Sequence, residues 1–327
     1  MPHPASESTT PLLIVLNTKA GKKDAAATRM IIEKTLLQAG RTYKLFVVED
    51  VGLLEAMARL AVDEAVETGG AVVAAGGDST ISAVARAAFG SGCAFGVLPQ
   101  GTFNYFGRAH GIPENTAEAV RVLMTARIQP VQIGLVNDRI FLVNASLGLH
   151  PQILEDRKTY TQQYGRSRLV AFWAGFMTLL RHHRKLRISI EYQGETREMC
   201  ALTLFVCNNS LQLERIGIPL SHDLERGQLA AFMLRPVGTW KMLWLLVRGA
   251  LGQLGDAKNV ISFAFDNIKV RLPDFYGRRR IKVAVDGETA ELGLPLEFRV
   301  STDPLYLLKP PSEAGRNHDS PPAAVLA

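Results

Sequence analysis

Two glycines, a carboxylate and two hydroxyls separate an apolar run from a helix-like segment. The run covers 71–75, the turn is Gly76-Gly77-Asp78-Ser79-Thr80, and the helical pattern starts at Ile81. Paired glycines let a ligand approach the backbone closely, and N–H groups at a helix start suit phosphate. Asp78 would then lie beside both phosphate and a divalent metal. The same residues also form ordinary turns and helix caps, so this stretch alone does not decide.

Two further loops follow apolar runs and carry polar groups. The first is Asn17 to Lys22, where Lys19 and Lys22 can neutralise phosphate charge. The second is Pro99-Gln100-Gly101-Thr102-Phe103-Asn104, where Gly101 and Thr102 offer a close backbone and a hydroxyl and Asn104 an amide. Taken alone, the first loop is better explained as a solvated connection and the second as a capped helix after a Pro-Gly turn.

A late strand ends in two carboxylates, Asp286 and Glu288, separated by Gly287. The chemical interpretation is a general base and its neighbour, reaching a nucleotide from the second half of the chain. The alternative is a plain hairpin turn, since Asp-Gly is a strong hairpin signal.

Strand-like and helix-like segments alternate through the first part of the chain, to about residue 130. This alternation predicts an α/β domain with a parallel sheet and helices on both faces. Ligands bind such sheets beyond the carboxyl ends of the strands. The three loops above all leave strands at that edge, so we expect them to lie together.

The pattern changes near Val131 to short strands separated by turns such as Asn137-Asp138. It predicts a mainly antiparallel β-sandwich, with helices near 165–183 and 239–254. The polar tails, 1–10 and 310–327, are expected to be disordered.

Composition narrows the function classes. The 327 residues favour two domains. The net charge of +6 suits nucleic acid, anionic lipid or phosphorylated substrates, but no zinc spacing or RNA-binding signature is present, so no nucleic-acid partner is expected. Three cysteines make no disulfide framework. No signal peptide or membrane-length apolar run occurs, which predicts a cytoplasmic protein.

The ordered set of motifs resembles the diacylglycerol kinase catalytic-domain family, which includes bacterial diacylglycerol kinases and sphingosine kinases. Four stretches carry the resemblance, together with a segment typical of the start of the second domain. They are Asn17–Gly21, Gly76-Gly77-Asp78-x-Thr80, Pro99-x-Gly101-Thr102-x-Asn104 and Asp286-Gly287-Glu288, with the segment Asn144-Ala145-Ser146-Leu147-Gly148. The resemblance covers roughly 11–309. The glycine turn is also similar to that of NAD kinases and phosphofructokinases.

The resemblance implies a nucleotide-binding domain at 11–130, a β-rich substrate domain at 131–303 and a last strand, 304–309, that returns to the first domain. It implies a cytoplasmic lipid kinase of phospholipid metabolism that uses ATP and Mg²⁺, with diacylglycerol as the expected acceptor. A kinase of a soluble acceptor such as NAD, or a catalytically weak lipid- or nucleotide-binding protein, is the alternative.

The same resemblance implies roles for individual residues. Glu288, or Asp286 beside it, takes the hydroxyl proton, unless Asp78 is the base or the magnesium ligand. The residues implied in nucleotide binding are Asn17, Gly76, Gly77, Asp78, Ser79, Thr80, Gly101, Thr102 and Asn104.

Three positions depart from the family pattern. Ser79 replaces a glycine, Tyr105 replaces an aspartate, and Arg226 stands where an aspartate commonly helps to hold a structural magnesium. Because a cation at Arg226 repels Mg²⁺, that metal site is not carried over and the metal ligands stay unknown.

A basic helix end is the expected contact with the membrane. Arg181, Arg184 and Lys185 follow an apolar segment, and such an end can face anionic lipid. The alternative is a partly buried helix with a solvated end. We therefore expect a peripheral protein at an anionic surface, with a homodimer as a possible assembly.

Overall fold

A computed structural model describes residues 10–20, 24–148, 186–192, 194–238, 244–245, 248, 253, 259–272 and 279–311. The predicted helix near 165–183, most of the one near 239–254, the basic residues from Arg181 to Lys185, and nearly all of both tails lie outside these ranges.

The first domain is built on one six-stranded sheet. Its strands are β1 (Leu12–Asn17), β2 (Tyr43–Val48), β3 (Ala71–Gly76), β4 (Ala94–Pro99), β5 (Arg127–Val131) and β18 (Leu305–Lys309), in the order β2-β1-β3-β4-β18-β5. β1 to β4 and β18 run parallel, and β5 pairs with β18 antiparallel. The predicted parallel sheet is confirmed in its main part, and its β5 edge makes it mixed.

Helices and one short 3-10 turn cover this sheet. They are α1 (Ala25–Gln38), the 3-10 turn Val51–Leu53, α2 (Leu54–Thr68), α3 (Asp78–Ala88), α4 (Tyr105–Ala109) and α5 (Thr116–Thr125). Aspartates start two of these segments. Asp24 accepts a hydrogen bond from the Ala26 backbone N–H, and Asp50 accepts one from Gly52. Such caps satisfy backbone donors that a helix start leaves unpaired.

The strand order creates a switch point between β1 and β3. From β1 the chain moves outward to β2, then crosses back to β3 and continues the other way to β4. β1 and β3 are buried throughout, β1 against α2 and β3 against α2 and α3. In open α/β sheets the ligand crevice lies at such a point, beyond the carboxyl ends of the strands. Asn17 and Gly76 end these two strands.

The second domain consists of two six-stranded antiparallel sheets. One, in the order β10-β9-β14-β17-β6-β7, contains β6 (Gly134–Val136), β7 (Arg139–Phe141), β9 (Leu186–Tyr192), β10 (Glu195–Ala201), β14 (Asn267–Arg271) and β17 (Leu296–Val300). The other, in the order β13-β12-β11-β8-β15-β16, contains β8 (Asn144–Gly148), β11 (Thr203–Cys207), β12 (Leu229–Leu234), β13 (Val260–Phe265), β15 (Arg280–Val285) and β16 (Glu288–Gly293).

Inward-facing apolar side chains of the two sheets form one core, which includes Phe141, Phe265 and Phe298. Two short helices, α6 (Ser210–Ile216) and α7 (Ser221–Glu225), pack against β11 and β12. The predicted β-sandwich is therefore confirmed.

Candidate functional site

The Asn17 loop is fixed to the start of α3 by a buried hydrogen bond. Asn17 Nδ2 donates to Thr80 Oγ1 over 2.9 Å, while Asn17 Oδ1 accepts from the Lys19 backbone N–H. Thr80 is fully buried, and a Cβ at Gly76 would lie 2.4 Å from its side chain. Asn17, Gly76 and Thr80 therefore shape the switch point, and the Thr80 hydroxyl is engaged within the protein.

The Gly76–Thr80 turn and the Pro99–Asn104 loop touch through Gly77 and Gly101. A Cβ on Gly101 would lie 2.9 Å from Gly77 Cα and 2.8 Å from Asn104 Oδ1. Real side chains do not tolerate such separations, so only glycine fits at position 101. The structure thus brings together the two glycine-containing loops that the sequence analysis placed at one edge of the sheet.

Asn104 joins these loops with three hydrogen bonds. Its Oδ1 accepts from Gly101 N–H and its Nδ2 donates to Gly101 O, while its own N–H donates to Asp78 Oδ2 over 3.0 Å. Its φ of +49° is left-handed, a conformation that asparagine tolerates better than most residues. This role is structural. It requires a side chain that both accepts and donates, which the amide of Asn104 does.

Asp78 has one engaged oxygen and one without a partner. Its Oδ1 is buried and accepts no hydrogen bond. Burial raises the pKa of Asp78 above its usual value, the backbone N–H groups of Asn104 and Tyr105 oppose this rise, and the nearby charge of Asp286 adds to it. Buried acceptors without a hydrogen-bond donor are rare in proteins, so a ligand, ion or water is expected to bind Oδ1. A carboxyl with a raised pKa beside the glycine-containing loops at the switch point is suited to proton transfer or to cation binding.

The outer rim of the site is polar and exposed. Lys19, Ser79 and Thr102 all have exposed side chains. Ser79 points to solvent at the start of α3, so the departure from glycine adds a hydroxyl to the rim. Lys22 lies outside the described residues.

Asp286 is a buried link between the domains. Its Oδ2 accepts from Ser82 Oγ (2.8 Å) and Leu142 N–H (2.9 Å), and its Oδ1 accepts from Val143 N–H (2.9 Å) and Asn144 N–H (3.1 Å). Burial raises the pKa of Asp286, and the four donors oppose that rise. The interpretation of Asp286 as a base or its neighbour includes no role in folding, and these contacts give it one. Its part in the reaction stays a prediction.

Glu288 lies between two arginines. Its Oε2 accepts from Arg86 over 3.1 Å and from Arg139 over 3.3 Å, and Arg86 also pairs with Glu55. Asp78 and Arg86 are eight residues apart on α3, which separates their Cα atoms by about 12 Å. Glu288 is thus anchored two helical turns from Asp78.

Tyr105 ties the first domain to α6. Its hydroxyl accepts from Arg215 over 3.1 Å, its carbonyl accepts from Asn209 Nδ2, and its ring stacks on Phe103 at 5.6 Å. The family's aspartate is thus replaced by a phenol engaged in an interdomain contact. Sequence reasoning missed Arg215 and Asn209 because their partner is more than a hundred residues away.

The described residues do not form a metal site in which protein side chains supply most of the ligands. No group of three or more His, Cys, Asp and Glu side chains among them can hold a metal. Arg226 is exposed at the end of α7. Mg²⁺ that accompanies a nucleotide needs only one or two carboxylates besides phosphates and water. Asp78, with its unpartnered Oδ1, fits that smaller requirement.

Comparisons with known proteins agree with this geometry. Residues 11–136 match the diacylglycerol kinase catalytic domain. The protein named "probable lipid kinase YegS-like" of Klebsiella pneumoniae is 42% identical over 93 residues, 27% of this chain and 30% of that protein, so the match spans less than a third of that relative. The diacylglycerol kinase of Bacillus subtilis is 25% identical over 257 residues, 76% of this chain and 80% of that one.

A solved structure shows the same fold. The crystal structure of a diacylglycerol kinase from Bacillus anthracis superposes with a TM-score of 0.64 at 19% identity, covering 92% of this chain and 97% of that one. The ordered motifs, the switch-point site and these comparisons agree on one likeness: residues 11–136 match the diacylglycerol kinase catalytic domain.

Proposed function

We propose that this protein transfers the γ-phosphoryl group of ATP to a lipid hydroxyl, with diacylglycerol as the acceptor. The family and the names of its relatives support this class of reaction. The observation that carries the proposal is the contact between Gly77 and Gly101 beside the unpartnered Oδ1 of Asp78. It combines a close backbone, a helix start and an acceptor at the switch point of the sheet.

Phosphoryl transfer depends mainly on positioning and charge stabilisation. In this account the backbone N–H groups at the start of α3 and the Gly101–Thr102 segment bind the ATP phosphates, and Lys19 neutralises part of their charge. Ser79 and Thr102 supply hydroxyls from the exposed rim. Asn17, Gly76, Thr80 and Asn104 hold the loops in place.

The chemical step balances as a direct displacement. The lipid hydroxyl oxygen bonds to the γ-phosphorus, the bond from that phosphorus to the β,γ-bridging oxygen breaks, and ADP leaves. The hydroxyl proton passes to Asp78 Oδ1, directly or through one water. Asp78 is favoured over Glu288 because Glu288 Oε2 is held by Arg86 and Arg139.

Magnesium is part of the proposal only as a companion of the nucleotide. When bound, it neutralises phosphate charge. With Asp78 Oδ1 assigned to the hydroxyl proton, ATP oxygens and water would hold the ion, and Asp78 would contact it only if the base lies elsewhere. The Arg226 segment supplies no metal ligand in this account.

We further propose that the enzyme works in the cytoplasm at an anionic membrane surface. The net charge of +6 supports this location. Among the helices that the structure describes, none is both long and apolar enough to cross a membrane. The homodimer remains a prediction.

The test is an acceptor panel with γ-labelled ATP and Mg²⁺. Mixed vesicles carrying diacylglycerol, vesicles carrying a sphingoid base, and NAD in solution are offered in parallel. We expect labelled phosphatidic acid as the main product. Labelled NADP in place of lipid would establish the soluble-acceptor alternative, and ATP binding without any labelled product would establish a binding protein.

A further inference from the structure

A cavity lies at the edge of the first-domain sheet opposite the Gly76 turn. It has a volume of about 650 Å³ and is formed by the amino ends of β3 and β4 with residues of α2, α5, β5 and β18. The length of β3 separates it from the Gly76 turn by about 17 Å. It is therefore distinct from the site assigned to ATP.

Among the described residues that line the cavity, one is charged, Arg41. This residue is only 8% exposed, and its Nε is buried without a hydrogen-bond partner. No hydrogen bond or ion pair joins its guanidinium to another described residue. The lining residues that the structure describes include no aspartate or glutamate.

A guanidinium whose Nε is buried without a partner among the described residues is costly in such a place. Burial of a charge without compensation carries a large penalty, and proteins normally pair buried charges. Arginine cannot relieve the penalty by losing its proton. An anion bound beside Arg41 would offset this cost.

The other walls are mainly apolar. Val66, Leu123, Ile128, Tyr306 and Leu308 line the cavity, together with small residues at the strand starts. Val66 and Ile128 are 52% and 47% exposed, so the apolar lining continues to the surface. A volume of this size lies within the range of small-molecule sites, roughly 300–1,000 Å³. One charged group with apolar walls matches a molecule that has an anionic head and a single hydrocarbon chain.

We propose that this cavity binds a single-chain amphiphile, with its carboxylate or phosphate on Arg41 and its hydrocarbon chain along the walls formed by α5, β5 and β18. The guanidinium can form paired hydrogen bonds with either head group. The site goes beyond the proposed kinase reaction and does not depend on it.

Calorimetric titration of the delipidated full-length chain tests the proposal. The probes are laurate, monododecyl phosphate and dodecanol, each below its micelle concentration. We expect one molecule of either anion to bind per chain, and dodecanol to bind at least about tenfold more weakly because it lacks the charge. The stronger of the two anions identifies the head group. Equal binding of dodecanol, or no binding of any probe, would overturn the proposal.

Three variants locate the site. Arg41→Gln should weaken both anions at least about tenfold, whereas Arg127→Gln, an exposed arginine of β5 outside the cavity, should leave both affinities unchanged. Ala94→Phe should block binding by filling the cavity while Arg41 is kept, which covers the case in which Arg41→Gln does not fold. Undiminished binding by Ala94→Phe would contradict the location.

The chain itself contains a competing anion. Thr10 lines the cavity, and Glu7 stands three residues earlier in the sequence. If anions bind only after Glu7→Gln, the chain's own carboxylate is the occupant and the lipid proposal is wrong. Equal affinity of the parent chain and Glu7→Gln supports the proposal.

Discussion

Ser82 Oγ donates a 2.8 Å hydrogen bond to Asp286 Oδ2, across a sequence separation of 204 residues. Ser82 lies one helical turn after Asp78 and one turn before Arg86, which pairs with Glu288. One face of α3 therefore carries the Asp78 carboxylate and two successive contacts to the β15–β16 hairpin. This register sets the second domain against the first beside the candidate site.

Asp286→Asn should destabilise the protein by about 2–3 kcal/mol, because a charged acceptor of buried hydrogen bonds is lost and the new amide faces N–H donors. Ser82→Ala should cost about 1 kcal/mol, since it removes one of the four donors. Urea unfolding measures both. If Asp286→Asn lowers kcat while leaving the free energy of unfolding unchanged, Asp286 acts in chemistry and the structural role is wrong.

Gly77→Val should weaken ATP binding by at least about tenfold, because its side chain would occupy the space where the phosphates approach the backbone. The fold should persist, since a Cβ at Gly77 would meet only the backbone of Gly101, with Cα at 3.4 Å and N at 3.9 Å. Gly238→Val is the matched control, because a Cβ there has no neighbour within 4 Å. Equal ATP affinity of the two folded variants would remove Gly77 from the nucleotide site.

Asp78→Asn should raise the stability of the ligand-free protein at neutral pH. The folded-state pKa of Asp78 is raised by burial, so its contribution to stability is present at low pH and is lost as pH rises through that pKa. The neutral amide keeps the oxygen that accepts from Asn104 and avoids the charge. Thermal melts at pH 4 and pH 7 should show a gain in Tm mainly at pH 7. A gain of equal size at both values would mean that the ionisation of Asp78 is not the cause.

Binding to vesicles should depend on charge. With a net charge of +6, the protein should bind vesicles containing anionic lipid, and the affinity should fall as salt screens the interaction. Co-sedimentation at low and high salt, with neutral vesicles as the control, measures this. Equal binding to neutral and anionic vesicles would exclude an electrostatic attachment.

The first-domain sheet and its three loops could be predicted because each signal is local. The apolar runs ending at Leu16, Ala75 and Leu98 specify buried strands, and their following loops must then share one edge. The antiparallel β5 edge could not be predicted, because it pairs with a strand more than 170 residues away.

The environments of the carboxylates also depend on distant partners. The Asp286-Gly287 pair indicates a turn, and the structure has that turn. Its buried carboxylate is satisfied by backbone N–H groups near Leu142 and by Ser82 of the first domain. No local pattern identifies such donors. For the same reason, the pairing of Glu288 with Arg86 and Arg139 was missed.

The most direct test of the central claim compares kcat for Asp78→Asn and Glu288→Gln with diacylglycerol vesicles at saturating ATP, together with the ATP affinity of each variant. The account predicts that Asp78→Asn loses roughly a hundredfold to ten-thousandfold in kcat with ATP affinity nearly kept. Glu288→Gln should stay within about threefold, because partly exposed ion pairs contribute little. A hundredfold or larger loss in Glu288→Gln, with Asp78→Asn still active, would contradict the assignment and place the base at Glu288.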